Sequence, residues 1–238
     1  MIEDSAKNLT SITWGQEVED SESWGGSSQQ RKSHNNSLNI GNLHWNDLTL
    51  WENKNSGPTT DGKFGPNLFD SRPIEIDFET NTLIIHNKLP QKAVRYQKMP
   101  IQNEDGLMFV EAASVIEGIE INNRYLIHSG YVGAILLDDV FVETNKIADK
   151  IEITAEQALK DSAGNILKTK KGVLPRFIIG KNVLHNLPVG FFEGALGRQK
   201  MSIVGGDVLK RFNIIIDSNR ENMYLKANGL SLLSYNNG

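Results

Sequence analysis

Apolar and polar side chains alternate over Leu38–Ile40, Leu43–Trp51 and Ile74–Phe78, and short apolar runs or strand-like segments follow at Leu83–Ile85, Phe177–Ile179, Asn182–Val189, Phe212–Asp217 and Met223–Leu225. Successive strand side chains point to opposite faces, so this spacing predicts half-buried β-strands. Turn residues at Glu79-Thr80-Asn81 and Ser218–Glu221 break the pattern and fold the last strands into hairpins. Leu107–Ile121 and Arg124–His128 flank Asn122-Asn123 as a further hairpin. Two polar stretches, Thr13–Asn36 and Ala155–Gly172, carry Ser23-Trp24-Gly25-Gly26-Ser27 and Asp161-Ser162-Ala163-Gly164 at their centres. Turn chemistry reads the first equally as a hairpin tip closing over something and as a solvated loop, and the second as a hairpin tip. Met1–Leu9 reads as an apolar end running into a short polar helix, Asn53–Gly62 as a turn-rich connection, Lys88–Pro100 as a linker and Gly229–Gly238 as a frayed tail.

These elements recur in order. Asp77 and Asp217 end matching strands 140 positions apart, and at that offset Gly65 meets Gly205, Asn67 meets Asp207, Phe69 meets Leu209 and Leu83 meets Met223. Ile40-Gly41 matches Ile179-Gly180 at 139, and the two glycine-containing tips match at 138. One β-rich unit used twice predicts two lobes with a cleft between them. The expected division is a first lobe over residues 1–90, a linker over 91–104, a second lobe over 105–228 and a tail over 229–238. Carried backwards, the repeat puts the partner of His128 before Met1, so the first lobe is expected to be incomplete. An incomplete lobe leaves an unpaired edge and exposed apolar surface, through which the chain is expected to self-associate.

Composition narrows the chemistry. Hydrophobic residues at 39% and charged residues at 23% suit a globular core in a chain of 238 residues. With no Cys, disulfides, thiolate metal sites and cysteine nucleophiles are excluded. A net charge of −4 without a Lys/Arg run provides no footprint for nucleic acid. No apolar run approaches the ~18 residues of a membrane helix, and Met1-Ile2-Glu3-Asp4-Ser5 lacks the basic and apolar regions of a secretory signal. Compartment stays unassigned. His34, His44, His86 and His185 share no ligand spacing, so no metal and no cofactor are expected. Gly57–Lys63 imitates a phosphate loop up to the lysine, but Phe64 stands where the metal-binding hydroxyl belongs.

The remaining chemistry lies in Leu126-Ile127-His128-Ser129-Gly130-Tyr131-Val132-Gly133, an apolar strand running into a glycine-bracketed loop and on to apolar Ala134–Leu137. Two apolar residues, then Asp-Thr-Gly or Asp-Ser-Gly, then small residues and an apolar pair mark the pepsin and retropepsin-like aspartic proteases. This chain resembles that family, and in particular its bilobal, exported bacterial-type members, with His128 in the place of the catalytic Asp. Ile203-Val204-Gly205-Gly206-Asp207-Val208-Leu209 is similar to the segment that the family threads beside that loop, and Lys63-Phe64-Gly65-Pro66-Asn67-Leu68 is a poorer copy with Lys63 at an apolar place.

The resemblance implies a mostly β, bilobal, aspartic-protease-like pair of barrels. It places His128, Ser129 and Gly130 in the catalytic loop, Trp24, Gly25, Gly26, Ser162 and Gly164 at the flap and cleft, and Gly65 and Gly205 as motif support. It also implies that Ser129 ties the loops across the pseudo-twofold axis. Two facing carboxylates that share one proton make the family's chemistry work, because like charges so close cannot both ionise. Imidazole in one of those places breaks the pair, so the expectation is a catalytically impaired peptidase homologue, a pseudoenzyme whose inter-lobe cleft accommodates peptide. One alternative is an active aspartic endopeptidase completed by an upstream Asp-containing segment; another is a non-catalytic protein-interaction scaffold. Neighbouring His128 and Ser129 point to opposite faces of a strand end and do not form a nucleophile–base pair.

Overall fold

The computed structural model describes residues 1–236 except 3, 5–8, 10, 17, 24, 25, 55–59, 70, 161–165 and 193–198, with the backbone alone at 19, 21–23 and 26–28. The expected tip residues Trp24, Gly25, Ser162 and Gly164 and most of the N-terminal helix therefore lie outside the described residues. The chain forms two compact units, residues 1–63 with 158–168, and residues 64–157 with 169–238. It is mostly β.

In the first unit β1 (Val18–Ser23), β2 (Gly26–Ile40) and β3 (Leu43–Trp51) form an antiparallel sheet with β2 in the middle. Gly41 at φ 59 makes the tight β2–β3 turn. Leu38 pairs with Trp45, Ile40 with Leu43, Asn36 with Leu48 and Ser33 with Leu50. The register slips between these pairs are absorbed where Asn35 and Asp47 take φ 57. One extra residue on each strand keeps Leu38, Ile40, Leu43, Trp45, Leu48 and Leu50 on a single face, which an unbulged strand would split between two.

The second unit runs through β4 (Ile74–Asp77), β5 (Thr82–Ile85), β6 (Gln97–Pro100), β7 (Gln102–Glu104), β8 (Leu107–Ile116), β9 (Ile119–His128) and β10 (Ile135–Leu136). Helices α1 (Asp139–Asn145) and α2 (Ile147–Lys150) follow, then β11 (Glu152–Lys160) and β12 (Ile166–Ile179), whose residues 158–160 and 166–168 belong to the first unit, and β13 (Asn182–Phe191), β14 (Ser202–Gly205), α3 (Gly206–Leu209), β15 (Phe212–Ile216) and β16 (Asn222–Ala227). One sheet has the order β11-β12-β13-β10-β14-β9-β8-β7, and an added β12–β8 pairing closes it on itself as a barrel. Closure removes sheet edges and encloses a core. Tyr125, Ile135, Leu137, Leu174, Phe177, Phe191 and Val204 all have no exposed surface, and the rings of Tyr125 and Phe177 meet edge to face at 5.1 Å. Each such side chain contributes about 1.5–3 kcal/mol by leaving water.

The other sheet has the order β5-β4-β15-β16-β6 and carries the repeat in its register. Ile74, Glu75 and Ile76 pair with Ile85, Ile84 and Leu83, while Ile214, Ile215 and Ile216 pair with Leu225, Tyr224 and Met223. Between the hairpins Ile74 faces Ile216, Glu75 faces Ile215 and Ile76 faces Ile214. Exchange of residues 140 apart maps this ladder onto itself, so a local twofold axis passes between Glu75 and Ile215. Glu75 is buried there, with His86 Nε2 at 2.8 Å and Lys92 Nζ at 2.6 Å. The Glu75 hydrogen bond raises the Lys92 pKa above its ordinary value.

Three local expectations change. The β8–β9 turn lies at Glu117-Gly118, with φ 53 and 82, rather than at Asn122-Asn123, which are interior to β9. Only the glycine pair supplies the two left-handed residues of a two-residue hairpin turn without Cβ strain at its second position. Residues read as a linker build a 3₁₀ turn, Gln91–Arg95, and edge strand β6. The tail expected to fray is held through Asn236, because Arg211 Nη1 donates to the Leu233 carbonyl at 2.6 Å and Asn236 N–H donates to Asp207 Oδ2 at 2.8 Å.

Candidate functional site

The candidate loop is assembled by parallel pairing of β9 with β14. Ser202 stands beside Tyr125, Ile203 beside Leu126, Val204 beside Ile127 and Gly205 beside His128. β14 also pairs with β10 on its other side, so it threads between the strand that enters the loop and the strand that leaves it. This position suits an all-apolar, small sequence such as Ile-Val-Gly, buried on both faces.

His128 is half-buried at the end of β9. Tyr131 N–H donates to its carbonyl at 3.1 Å, closing a turn over Ser129-Gly130. A Cβ on Gly130 would stand 2.8 Å from His128 Cε1 and 3.2 Å from Nδ1, so the imidazole lies over the glycine and any side chain there would displace it. Ser129 and Gly130 are exposed. Among the described residues the Ser129 hydroxyl has no hydrogen-bond partner, so the tie expected of it is not among those described. Gly205, Gly206 and Asp207 donate backbone N–H groups to the carbonyls of Ala134 at 2.8 Å, Tyr131 at 2.7 Å and Gly133 at 3.3 Å. Three bonds thus stitch the end of β14 and the start of α3 to the loop.

Glycine at 205 is required by proximity. A Cβ there would fall on the Gly133 carbonyl oxygen and 2.5 Å from Tyr131 Cδ1. Tyr131 is the residue that the sequence pattern did not single out. Its ring packs against Gly133, Gly205 and, through its hydroxyl, Gly190, and burial pushes its phenol up to about 12. The signal in the sequence is weak, since the three glycines come from three separate segments.

Beneath the loop a polar cluster ties together β9, the segment after β10 and β14. Ser202 Oγ donates to Asp138 Oδ2 at 2.7 Å, and Asn123 Nδ2 reaches Asp138 Oδ2 at 3.0 Å and Ser202 Oγ at 2.9 Å. Asp138 also caps α1 by accepting the Phe141 N–H at 2.7 Å. A fully bonded cluster of this kind fixes backbone positions that apolar packing alone leaves free to slide.

The structure therefore brings His128, Ser129, Gly130 and Gly205 together. Gly65 stands elsewhere in the chain, before a 3₁₀ turn at Pro66–Phe69, where a Cβ would lie 2.8 Å from Asn67 Oδ1. Where the second copy of this motif forms β14 and α3, the first forms only that turn, held by Arg220 donating to the Pro66 carbonyl at 3.1 Å and the Arg72 carbonyl at 2.9 Å. Gly26 opens β2, and its neighbours Trp24 and Gly25, like Ser162 and Gly164, lie outside the described residues. Among the described residues no cluster of three or more His, Asp or Glu side chains could hold a metal, and no helix is long and apolar enough to cross a membrane. Chemically, an imidazole can accept or donate a single proton at this position, and it cannot supply the carboxylate oxygen of a shared-proton pair.

No protein-family model matches the chain, and no curated protein matches it by sequence. Among solved structures, the crystal structure of the aspartic proteinase from Irpex lacteus is similar over 95% of this chain and 86% of that one, with a TM-score of 0.52 and 12% identity. At that identity the likeness concerns the fold, and the chain has the β fold of a pepsin-like aspartic protease.

Proposed function

We propose that this pepsin-like β fold is a catalytically impaired aspartic-peptidase homologue, a pseudoenzyme that holds extended peptide beside the His128–Gly130 loop. The observation that carries the reading is the Gly205–His128 pairing, with three backbone bonds joining β14 and α3 to the loop. On this reading the loop is the scaffold of a catalytic loop in which His128 takes the place of the acid. An imidazole facing a carboxylate tends to the charged donor form, where the peptidase mechanism needs an acceptor that shares one proton. Exposed Ser129, Gly130 and Val132 leave backbone groups and one apolar side chain accessible beside it, the kind of surface that main-chain hydrogen bonding to a peptide uses.

The division into lobes at residues 1–90 and 105–228 belongs to the same reading. It is supported by the matching hairpin registers at offset 140.

The test is incubation of the purified chain with an acid-unfolded protein substrate between pH 3 and pH 6, with peptide binding followed in parallel by chemical-shift changes at residues 128–133. Binding at the loop without cleavage is expected. Pepstatin-sensitive cleavage would overturn the proposal in favour of an active endopeptidase, and absence of any shift at the loop would favour a plain interaction scaffold.

A further inference from the structure

The five-stranded sheet has an inner face continuous with the barrel core, through Ile214, Ile216, Met223 and Leu225, and an outer face centred on Glu75, Ile215 and Tyr224. The segment after β5 crosses that outer face. Its 3₁₀ turn, Gln91–Arg95, is pinned from below: Ala93 is 1% exposed and packs with Ile215 and Tyr224, and Lys92 Nζ sits 2.6 Å from the buried Glu75 carboxylate. Ala93 N–H donates to the Pro90 carbonyl and Tyr96 N–H to the Ala93 carbonyl, both at 3.0 Å. Neighbouring Val94 is thereby presented outward, with 86% of its surface exposed.

A second turn adjoins the first. Lys226 Nζ lies 5.8 Å from the centre of the Tyr96 ring, Lys226 pairs in register with Asn213, and Asn213 Oδ1 accepts from Asn228 Nδ2 at 3.1 Å. Asn228 caps the 3₁₀ turn Gly229–Leu232 by accepting the Leu230 N–H at 3.0 Å. Leu232 is 92% exposed, although Arg211 fixes the backbone of the next residue through the Leu233 carbonyl. All chain neighbours of these turns, residues 71–160 and 199–236, are described. An apolar side chain held almost wholly in water on a fixed backbone forgoes what burial would give it, and two on adjoining turns mark a contact surface.

The charge around them is mostly of one sign. Residues 86–101 carry Lys88, Lys92, Arg95 and Lys98 and no Asp or Glu, in a chain of net charge −4. Lys92 is committed to Glu75, but Lys88, Arg95, Lys98 and Lys226 are exposed and form no ion pair among the described residues. On the β4 side Asp77 and Glu79 offset part of this charge, and both accept backbone N–H bonds, from Thr80 and Gly229.

We infer that the Val94 and Leu232 turns form a peripheral contact with an anionic lipid bilayer, the two apolar side chains entering the headgroup–acyl boundary while Lys88, Arg95, Lys98 and Lys226 meet the anionic headgroups. The occupant is a bilayer rather than an acidic protein because the apolar side chains stand on the outward side of turns. Knobs of that kind need matching holes in a protein, whereas lipid deforms around them. Nucleic acid would use the cations and leave both apolar side chains in water. Long Lys and Arg stems let the charges stay at headgroup level while the apolar tips go deeper. Both turns are already fixed, so binding carries little ordering cost. None of these residues belongs to the His128 loop, and the inference is independent of peptide held there.

The test is flotation of the purified chain with phosphatidylcholine vesicles, with and without phosphatidylserine. Binding is expected only where phosphatidylserine is present. Each cation near such a surface contributes roughly fivefold, so Arg95→Glu with Lys98→Glu is expected to lower the partition coefficient by about thirtyfold or more. Val94→Ser with Leu232→Ser, which leaves the charge unchanged, is expected to lower it by about tenfold. Lys146→Glu with Lys150→Glu makes the same charge change on exposed residues outside the patch and is expected to leave binding within about threefold, since distant charges are screened. Every substituted side chain is exposed, and an unchanged melting temperature is the control for folding. Binding of the unaltered chain to neither vesicle, or equally to both, overturns the proposal. An equal loss in the Lys146 and Lys150 variant would make net charge the cause and overturns it as well. Loss in the charge variant without loss in the apolar variant assigns the patch to an acidic macromolecule instead of a bilayer.

Discussion

Tyr131 and Gly205 show how much of the loop depends on single atoms. Because a Cβ on Gly205 would fall on the Gly133 carbonyl oxygen, Gly205→Ala must push the loop away from β14. Overpacking of this kind costs about 2 kcal/mol, and the melting temperature is expected to fall by roughly 4–8 °C, as calorimetry would read. The buried phenol of Tyr131 makes a second, pH-dependent statement. Its folded pKa of about 12 lies above the ordinary 10.0, so the folded state holds the proton more tightly. Its contribution is complete below pH 10 and is lost as pH rises towards 12. Melting temperature is therefore expected to decline over that window, and Tyr131→Phe, which cannot ionise, is expected to flatten the decline. Tyr125 is pushed up by burial in the same direction, so the decline should be reduced rather than abolished. The motif frame made His128 and Gly205 legible in the sequence, since both lie in short local patterns. Tyr131 was not, because the glycines that make room for it at 133, 190 and 205 come together only in three dimensions.

Among the elements, the C-terminal strap rests on one side chain. Arg211 is 1% exposed, donates through Nε to the Asp207 carbonyl at 2.9 Å and through Nη1 to the Leu233 carbonyl at 2.6 Å, and lies 3.6 Å over the Tyr235 ring. Lys210 Nζ, at 2.7 Å, pairs with the same Asp207 carboxylate. Removing one member of a buried charged cluster costs on the order of 3–5 kcal/mol. Arg211→Ala is expected to release residues 229–236, seen as rapid proteolysis of the tail while the barrel remains intact. Tail cleavage no faster than in the unaltered chain would show that Tyr235 and Asp207 suffice. Strand existence was legible because alternation is local, and so were the paired closing hairpins. The turn at Glu117-Gly118 was misread because Asn122-Asn123 has turn chemistry of its own. What overrides it is the Asn123 side chain, committed to Asp138 and Ser202 across the barrel.

Across the molecule the two units differ in what holds them. The second has a closed barrel with a continuous buried cluster, whereas the described residues of the first contribute no fully buried apolar side chain. Local stability follows buried apolar contact. Native-state hydrogen exchange is expected to show residues 26–51 opening in a low-energy step while β9, β12, β13 and β14 exchange only with global unfolding. A single cooperative step for both regions would contradict this.

By itself the sequence determined most of the strands, the offset of 139–140 that relates the two copies, and the frame of short motifs in which His128 and Gly205 stand, because alternation, turn residues and motif spacing are properties of neighbouring positions. Only the tertiary structure decided that β14 threads between β9 and β10, that β12 closes on β8, and that Glu75 and Ile215 sit on a local twofold. Those facts depend on which distant segments meet. The free energy that selects the meeting is burial of apolar surface shared among them, which no local window contains.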